Sequence, residues 1–160
     1  MTTVAQVRAV LAEVTDPEIP VITIEDLGIL RDVAVDDGHI TVTITPTYSG
    51  CPAMQEIRAD VLTALAAHGW DDVEVKQILS PAWTTDWMSP AGHEKLRAFG
   101  IAPPTHTVAG PVPLTLGRRP RCPQCDSAET EELTRFASTS CKSLWRCLAC
   151  REPFDHFKAH

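Results

Sequence analysis

A small α+β domain followed by a four-cysteine metal module is the fold class this sequence predicts. Three observations predict it. Over residues 1–100 apolar positions recur first at helical spacing, then with strand alternation, then at helical spacing again. Residues 101–120, "IAPPTHTVAGPVPLTLGRRP", hold five prolines. Beyond them stand two CxxC pairs, "CPQC" at 122–125 and "CLAC" at 147–150.

The first helix rests on Val4, Val7, Leu11 and Val14, with Arg8 and Glu13 off that face. "TDPEIP" (15–20) ends it, because Asp16-Pro17 favours a turn and Pro20 blocks resumption of the helix. "LGILRDVAVDDGHITVTITP" (27–46) reads as a hairpin. Leu30 to Val35 alternates only in part, and Asp37-Gly38 is a two-residue turn signal. Ile40, Val42 and Ile44 share one face, with threonines on the other. A second helix is expected from Pro52 to about Ala67, with Met54, Ile57, Val61 and Leu65 as its stripe and Gly69 as its stop. "DDVEVKQIL" supplies a third strand through Val73, Val75 and Gln77. "SPAGHEKLRAFG" is a short helix between Pro90 and Gly100. Three strands with helices on one face make an α+β domain over 1–100. The proline-dense stretch reads as a semi-rigid linker over 101–120, and the metal module occupies 121–160.

Composition narrows the functional classes. The chain has 160 residues, 44% apolar and 22% charged, which fits one medium domain or a small domain plus a module. No apolar run approaches the ~20 residues of a membrane span. "MTTVAQVRAVLAEV" has neither the basic n-region nor the apolar h-region of a signal peptide, so a cytoplasmic protein is expected. Cysteines there serve metals or chemistry more often than disulfides. Residues 1–100 carry 6 Lys and Arg against 15 Asp and Glu, whereas 101–160 carry 8 against 6. The acidic front repels a phosphate backbone.

The two CxxC pairs are separated by 21 residues. Each tight turn aims two thiolates at one ion, and two turns complete a tetrahedral site. The spacing lies just beyond the window of about 15–20 residues usual for such modules, which an intervening hairpin accommodates. Cys122, Cys125, Cys147 and Cys150 are therefore expected to hold a structural zinc, favoured over iron because closed four-cysteine sites are usually zinc. A pair of disulfides is the competing reading, and the expected compartment disfavours it. A module of roughly forty residues needs such a staple, because so small a core rarely suffices. A closed site leaves no position for substrate, so no catalysis is assigned to it. Cys141 lies six residues before the second pair. On a strand it would sit roughly 20 Å from Cys147 by strand rise, too far to share the ion. It reads either as a half-buried core residue or as a second, exposed functional thiol.

Cys51 stands alone in "SGCPAMQEI" (49–57). With Pro52 at the first helical position it falls at the N-cap, where free N–H groups and the helix dipole lower a thiol pKa. It is a candidate nucleophile or soft-metal ligand, or else a small buried cap residue. Asp16 and Glu18 form either a capped turn alone or a turn that also brings carboxylates to the Cys51 loop. His39, His68 and His93 read as turn or surface residues.

"DPEIPVITIEDLGILRDV", a hairpin and then "TPTYSGCP" together resemble the iron–sulfur cluster assembly family of small α+β domains, over residues 1 to about 90. Nearly the whole chain, through "WTTDWMSPAGHEKLRAFGIAPP" and "CKSLWRCLACREPFDHFK", is similar to the D-subunit family of the phenylacetyl-CoA monooxygenase (epoxidase) systems. The resemblance makes Cys51 the cluster or iron thiol, Asp16 and Glu18 its loop partners, and Asp26, Leu27 and Gly28 the D-L-G stretch. It makes the ribbon cysteines Cys122, Cys125, Cys147 and Cys150, and it adds weight to Cys141. Some members end with a further cysteine after "FK", where this chain reads "FKAH".

The resemblance implies a non-catalytic accessory protein. It would act in iron–sulfur cluster or iron assembly and transfer to the reductase or oxygenase subunits of that system. No Glu-x-x-His pair of a di-iron bundle and no G-x-G-x-x-G fingerprint is present in the sequence, in keeping with that role. Zinc would be structural, and an iron–sulfur cluster or iron would be held transiently. One cysteine is too few for a cluster needing four protein ligands, so a homodimer, a partner or a small thiol would complete the site. A purely structural adaptor with zinc alone is the rival reading. A nucleic-acid-binding ribbon, suggested by Arg118, Arg119 and Arg121, is disfavoured by the acidic front.

Overall fold

The computed structural model describes residues 1–105 and 118–159. The elements run α1 (Val4–Leu11), β1 (Leu30–Asp36), β2 (His39–Ile44), α2 (Ala53–Ala66), β3 (Val73–Gln77), α3 (Pro90–Ala98), β4 (Ile101–Ala102), β5 (Thr130–Thr134), β6 (Lys142–Cys147) and β7 (Pro153–Phe157), with one 3-10 turn at Thr85–Trp87. They divide into two units. The first holds Met1–Trp83 and Trp87–Gly92, the second Thr84–Asp86 and His93–His160. The division falls inside α3, earlier than the boundary at residue 100 drawn from the proline content. Ile101 and Ala102, at the start of the expected linker, pair in parallel with β7. The linker's middle, 106–117, lies outside the described residues.

In the first unit the sheet order is β1-β2-β3, antiparallel across the hairpin and parallel between β2 and β3. The turn is Asp37-Gly38, both at positive φ. Ile40, Val42 and Ile44 are buried while the residues between them are half-exposed, as the alternation requires. The partial alternation of β1 has a physical cause. The register shifts between Leu30 and Asp32, so a bulge puts Leu30 and Val33 on the buried face together. The bulged Arg31 turns its guanidinium onto the Trp87 ring, 3.5 Å from the centroid. α1 carries a full capping box between Thr3 and Gln6 and buries Val7 and Leu11. α2 buries Met54, Ile57, Val61 and Leu65 and ends in Schellman fashion, Trp70 N–H donating to Leu65 O and Gly69 N–H to Ala66 O.

The second unit is a four-stranded sheet ordered β4-β7-β6-β5. β5 and β6 are the hairpin that fills the interval between the two CxxC turns. Its small core around the thiols consists of Ala102, Cys122, Cys147 and Phe154, with Trp145 and Cys150 packed against it. Lys142 is buried beside Asp155, the ammonium 3.1 Å from the carboxylate. Among the described residues no helix is long and apolar enough to cross a membrane.

Candidate metal and thiol sites

The four ribbon cysteines converge. All four sulfurs lie within 4.8 Å of one another. Cys122 Sγ is 3.7 Å from Cys150 Sγ, and Cys125 Sγ is 3.5 Å from Cys147 Sγ. An S–S bond of ~2.05 Å is excluded at those distances, and all four are free thiols. A tetrahedral ion with ~2.3 Å sulfur bonds separates its ligands by about 3.8 Å, so the cluster has the dimensions of such a site. Cys122 and Cys147 are buried, whereas Cys125 is exposed and Cys150 half-buried.

The electrostatics point the same way. The Cys150 N–H donates to Cys147 Sγ at 3.5 Å. That bond, with the Ala149 N–H, outweighs desolvation and holds the Cys147 thiol at about 6. Cys150 moves oppositely, to about 12: the Glu152 N–H favours its thiolate, but desolvation and the neighbouring sulfurs oppose it more strongly. Four thiols in one place cannot all ionise without a cation to balance them, and a divalent ion supplies that balance.

Cys141 is outside this cluster. It sits just before β6, only 5% exposed, with Thr139 Oγ1 3.0 Å from its sulfur. Its burial does not fit the exposed-thiol reading, because a thiol must be reached to react.

Cys51 occupies the loop between β2 and α2. Pro52 rather than Cys51 takes the N-cap position, already with helical angles (φ −68°, ψ −25°) and without a side-chain cap. The helix therefore begins one residue later than the sequence suggests. The Ala53 N–H and Tyr48 still favour the Cys51 thiolate, as a helix start should. Desolvation wins, however, and the charges of Glu18 and Asp16 add to it, so the thiol is raised and not lowered. The DPE turn thus does both things open to it. Asp16 Oδ1 accepts the N–H groups of Glu18 (2.8 Å) and Ile19 (2.9 Å), a capped turn. The same turn brings two carboxylates within electrostatic reach of Cys51.

The D-L-G stretch has a different task, which its order in the sequence does not reveal. Leu27 O accepts the Trp83 indole N–H at 2.9 Å, and Asp26 accepts both the backbone N–H and the hydroxyl of Ser89. Gly28 has φ +74°, and a Cβ there would lie 2.6 Å from Trp87 Cβ. These residues fasten Trp83 and the stretch 87–89 to the rest of the first unit. His39 pairs with Asp72 at 2.8 Å, and His68 bonds Ala64 O and stacks on Trp70, both structural placements.

The two units define a class: an iron–sulfur assembly-type domain followed by a four-cysteine β-ribbon. Residues 4–77 match the iron–sulfur cluster assembly protein family, and residues 111–158 match the PaaD zinc beta ribbon domain. The chain belongs to the PaaD family, the D subunits of phenylacetyl-CoA epoxidase. It is 45% identical to the putative 1,2-phenylacetyl-CoA epoxidase D subunit of Escherichia coli K12, over 97% of this chain and 92% of that protein. The front half alone is 45% identical to the Fe-S protein maturation auxiliary factor SufT of Staphylococcus aureus, over 48% of this chain and 88% of the relative. Among solved structures, a domain of unknown function (DUF59) from Bacillus anthracis superposes with a TM-score of 0.54 at 30% identity, covering 58% of this chain and 90% of that one.

Proposed function

We propose that this protein is an accessory subunit of a phenylacetyl-CoA epoxidase system, active in phenylacetate catabolism in the cytoplasm. It assembles iron or an iron–sulfur cluster and hands it to the reductase or oxygenase subunits, without itself catalysing the epoxidation. The observation that carries this reading is the company of Cys51. A half-buried thiol beside Asp16 and Glu18 resists ionisation while alone. An iron ion would reverse that, because a thiolate and nearby carboxylates gain from one shared cation. A site that is poor for a bare thiolate and good for a loaded one suits transient cargo. The remaining ligands would come from a second copy of the chain, the client or a small thiol. Cys122, Cys125, Cys147 and Cys150 would hold a resident zinc that folds the ribbon.

The same raised thiol also favours a second reading, an adaptor with structural zinc only and Cys51 as a packed residue. One experiment separates them: zinc, iron and acid-labile sulfide per chain in anaerobically purified wild type and Cys51→Ser. Iron and sulfide in wild type alone, with equal zinc in both, support the carrier. Zinc alone in both, with undiminished activity of a Cys51→Ser epoxidase system, supports the adaptor.

A further inference from the structure

The ribbon unit contains a cavity of about 510 Å³ on the sheet face that carries Ser143, Trp145 and His156. That size falls in the range of small-molecule sites, ~300–1,000 Å³. Its floor is a hydrogen-bonded chain. The Trp145 indole N–H donates to Ser143 Oγ at 2.8 Å, and Ser143 Oγ lies 3.5 Å from His156 Nδ1. His156 Nε2 is buried and has no hydrogen-bond partner among the described residues, in a residue only 8% exposed. Buried polar atoms without a partner are few in native proteins, which sets this floor apart from an apolar core.

The rim shows what kind of ligand the cavity suits. Arg118, Arg119, Arg135 and Lys158 line the cavity against two carboxylates, Glu131 and Glu132. Arg146 already engages Glu131. Arg119 commits one guanidinium N–H to Thr130 O, while Arg118 and Arg135 have no ion-pair partner among the described residues. In a chain of net charge −7 this is a local inversion to about +2 at the lining. Guanidinium groups match the oxygens of a phosphate, and the half-exposed Trp145 ring on the same lining offers a flat apolar surface.

We infer that this cavity is a binding site for a small organic phosphate, its dianion held by Arg118 and Arg135 and its planar organic part lying on Trp145. The inference stands apart from the role of Cys51, which is in the other unit.

Phenyl phosphate and inorganic phosphate are the probes, titrated at constant ionic strength into zinc-loaded full-length protein. The readout is the NMR signals of the Trp145 indole and the His156 ring. Saturable shifts of both are expected, with phenyl phosphate at least ~10-fold tighter than inorganic phosphate, as a stacked ring should add. Arg118→Ala and Arg135→Ala, both exposed positions, should each weaken binding by roughly 10-fold, the worth of one charge-assisted hydrogen bond. Unchanged zinc content would show that those variants are folded. No saturable shift, or one that both arginine variants retain in full, overturns the inference. So does saturable binding of a polyglutamate peptide without binding of phenyl phosphate, which would make the cleft a protein-docking surface.

Discussion

The two units of this chain reach stability by opposite routes. The first is packed with Ile, Leu and Val: Val7, Leu11, Ile22, Ile24, Val42, Ile57, Val61 and Leu65 are all fully buried. The core around the ribbon thiols contains a phenylalanine, an alanine and two cysteines. Burial at ~25 cal/mol per Å² can hold the first together, but it has little apolar surface to act on around the thiols of the second. With a metal held by its four cysteines, one chain would draw on two sources of stability, apolar area and metal–thiolate bonds, and each unit should fail to its own insult.

The largest effect should follow metal removal. Zinc–thiolate binding in small modules is worth apparent free energies of ~10–16 kcal/mol, most of it folding energy. A strong chelator, or Cys147→Ser at the buried core of the cluster, should unfold the ribbon while leaving the first unit native. Amide hydrogen exchange is the check. Protection should vanish over β5–β7 and persist over β2 and α2. Loss of protection in both units together would erase the distinction between them. The reciprocal insult is apolar truncation. Ile57→Ala or Leu65→Ala opens a cavity under α2 and should cost about 2–5 kcal/mol, read as a lower midpoint in a denaturant titration. The zinc content of such a variant should not change.

How far the sequence revealed these two routes depended on the kind of signal. The strands and helices of the first unit were legible because one face is buried and one is wet, as at Ile40, Val42 and Ile44. The convergence of the four cysteines was legible because a CxxC turn is local and the hairpin between the pairs fits the spacing. Long-range consequences were not. Periodicity at Leu30–Val35 is blurred by a bulge whose purpose, sending Arg31 to Trp87, depends on a residue 56 positions away. The direction of the Cys51 shift is hidden from the sequence for the same reason. The helix start is local and visible, whereas desolvation and the carboxylates of the DPE turn belong to the folded neighbourhood. The buried His156 carries no sequence signal at all, since it appears as one polar residue in "FDHFK".

That histidine gives a smaller, pH-dependent contrast between the units. Burial, with the charge of Lys158 second, depresses its pKa from 6.5 to about 4. The neutral form is the folded one, so the unfolded ribbon binds more protons between those values. The contribution is complete above about pH 6.5 and is lost as pH falls toward 4, by at most ~3 kcal/mol. Ribbon stability at saturating zinc should therefore decline through that window. His156→Phe should flatten the decline, leaving only the share due to the thiolates. An identical profile in wild type and variant would show that the imidazole is not held neutral by the fold.

The smallest effect on stability should come from the cysteine that the first unit does not use to fold. Cys147 and Cys51 are the same side chain, but Cys147 is fully buried in a cluster of four sulfurs and Cys51 is half-buried at a helix entrance. Replacing sulfur by oxygen at Cys51 removes no zinc ligand and opens no sizeable cavity, so Cys51→Ser should shift stability by no more than ~1 kcal/mol. Iron and sulfide content should fall to nothing in the same variant. That pairing of outcomes separates the two roles a cysteine can have here, because a packing residue loses stability without losing cargo, whereas a carrier thiol loses cargo without losing stability. A Cys51→Ser protein destabilised by several kcal/mol would place Cys51 among the packing residues of its unit, and the adaptor reading would then take precedence.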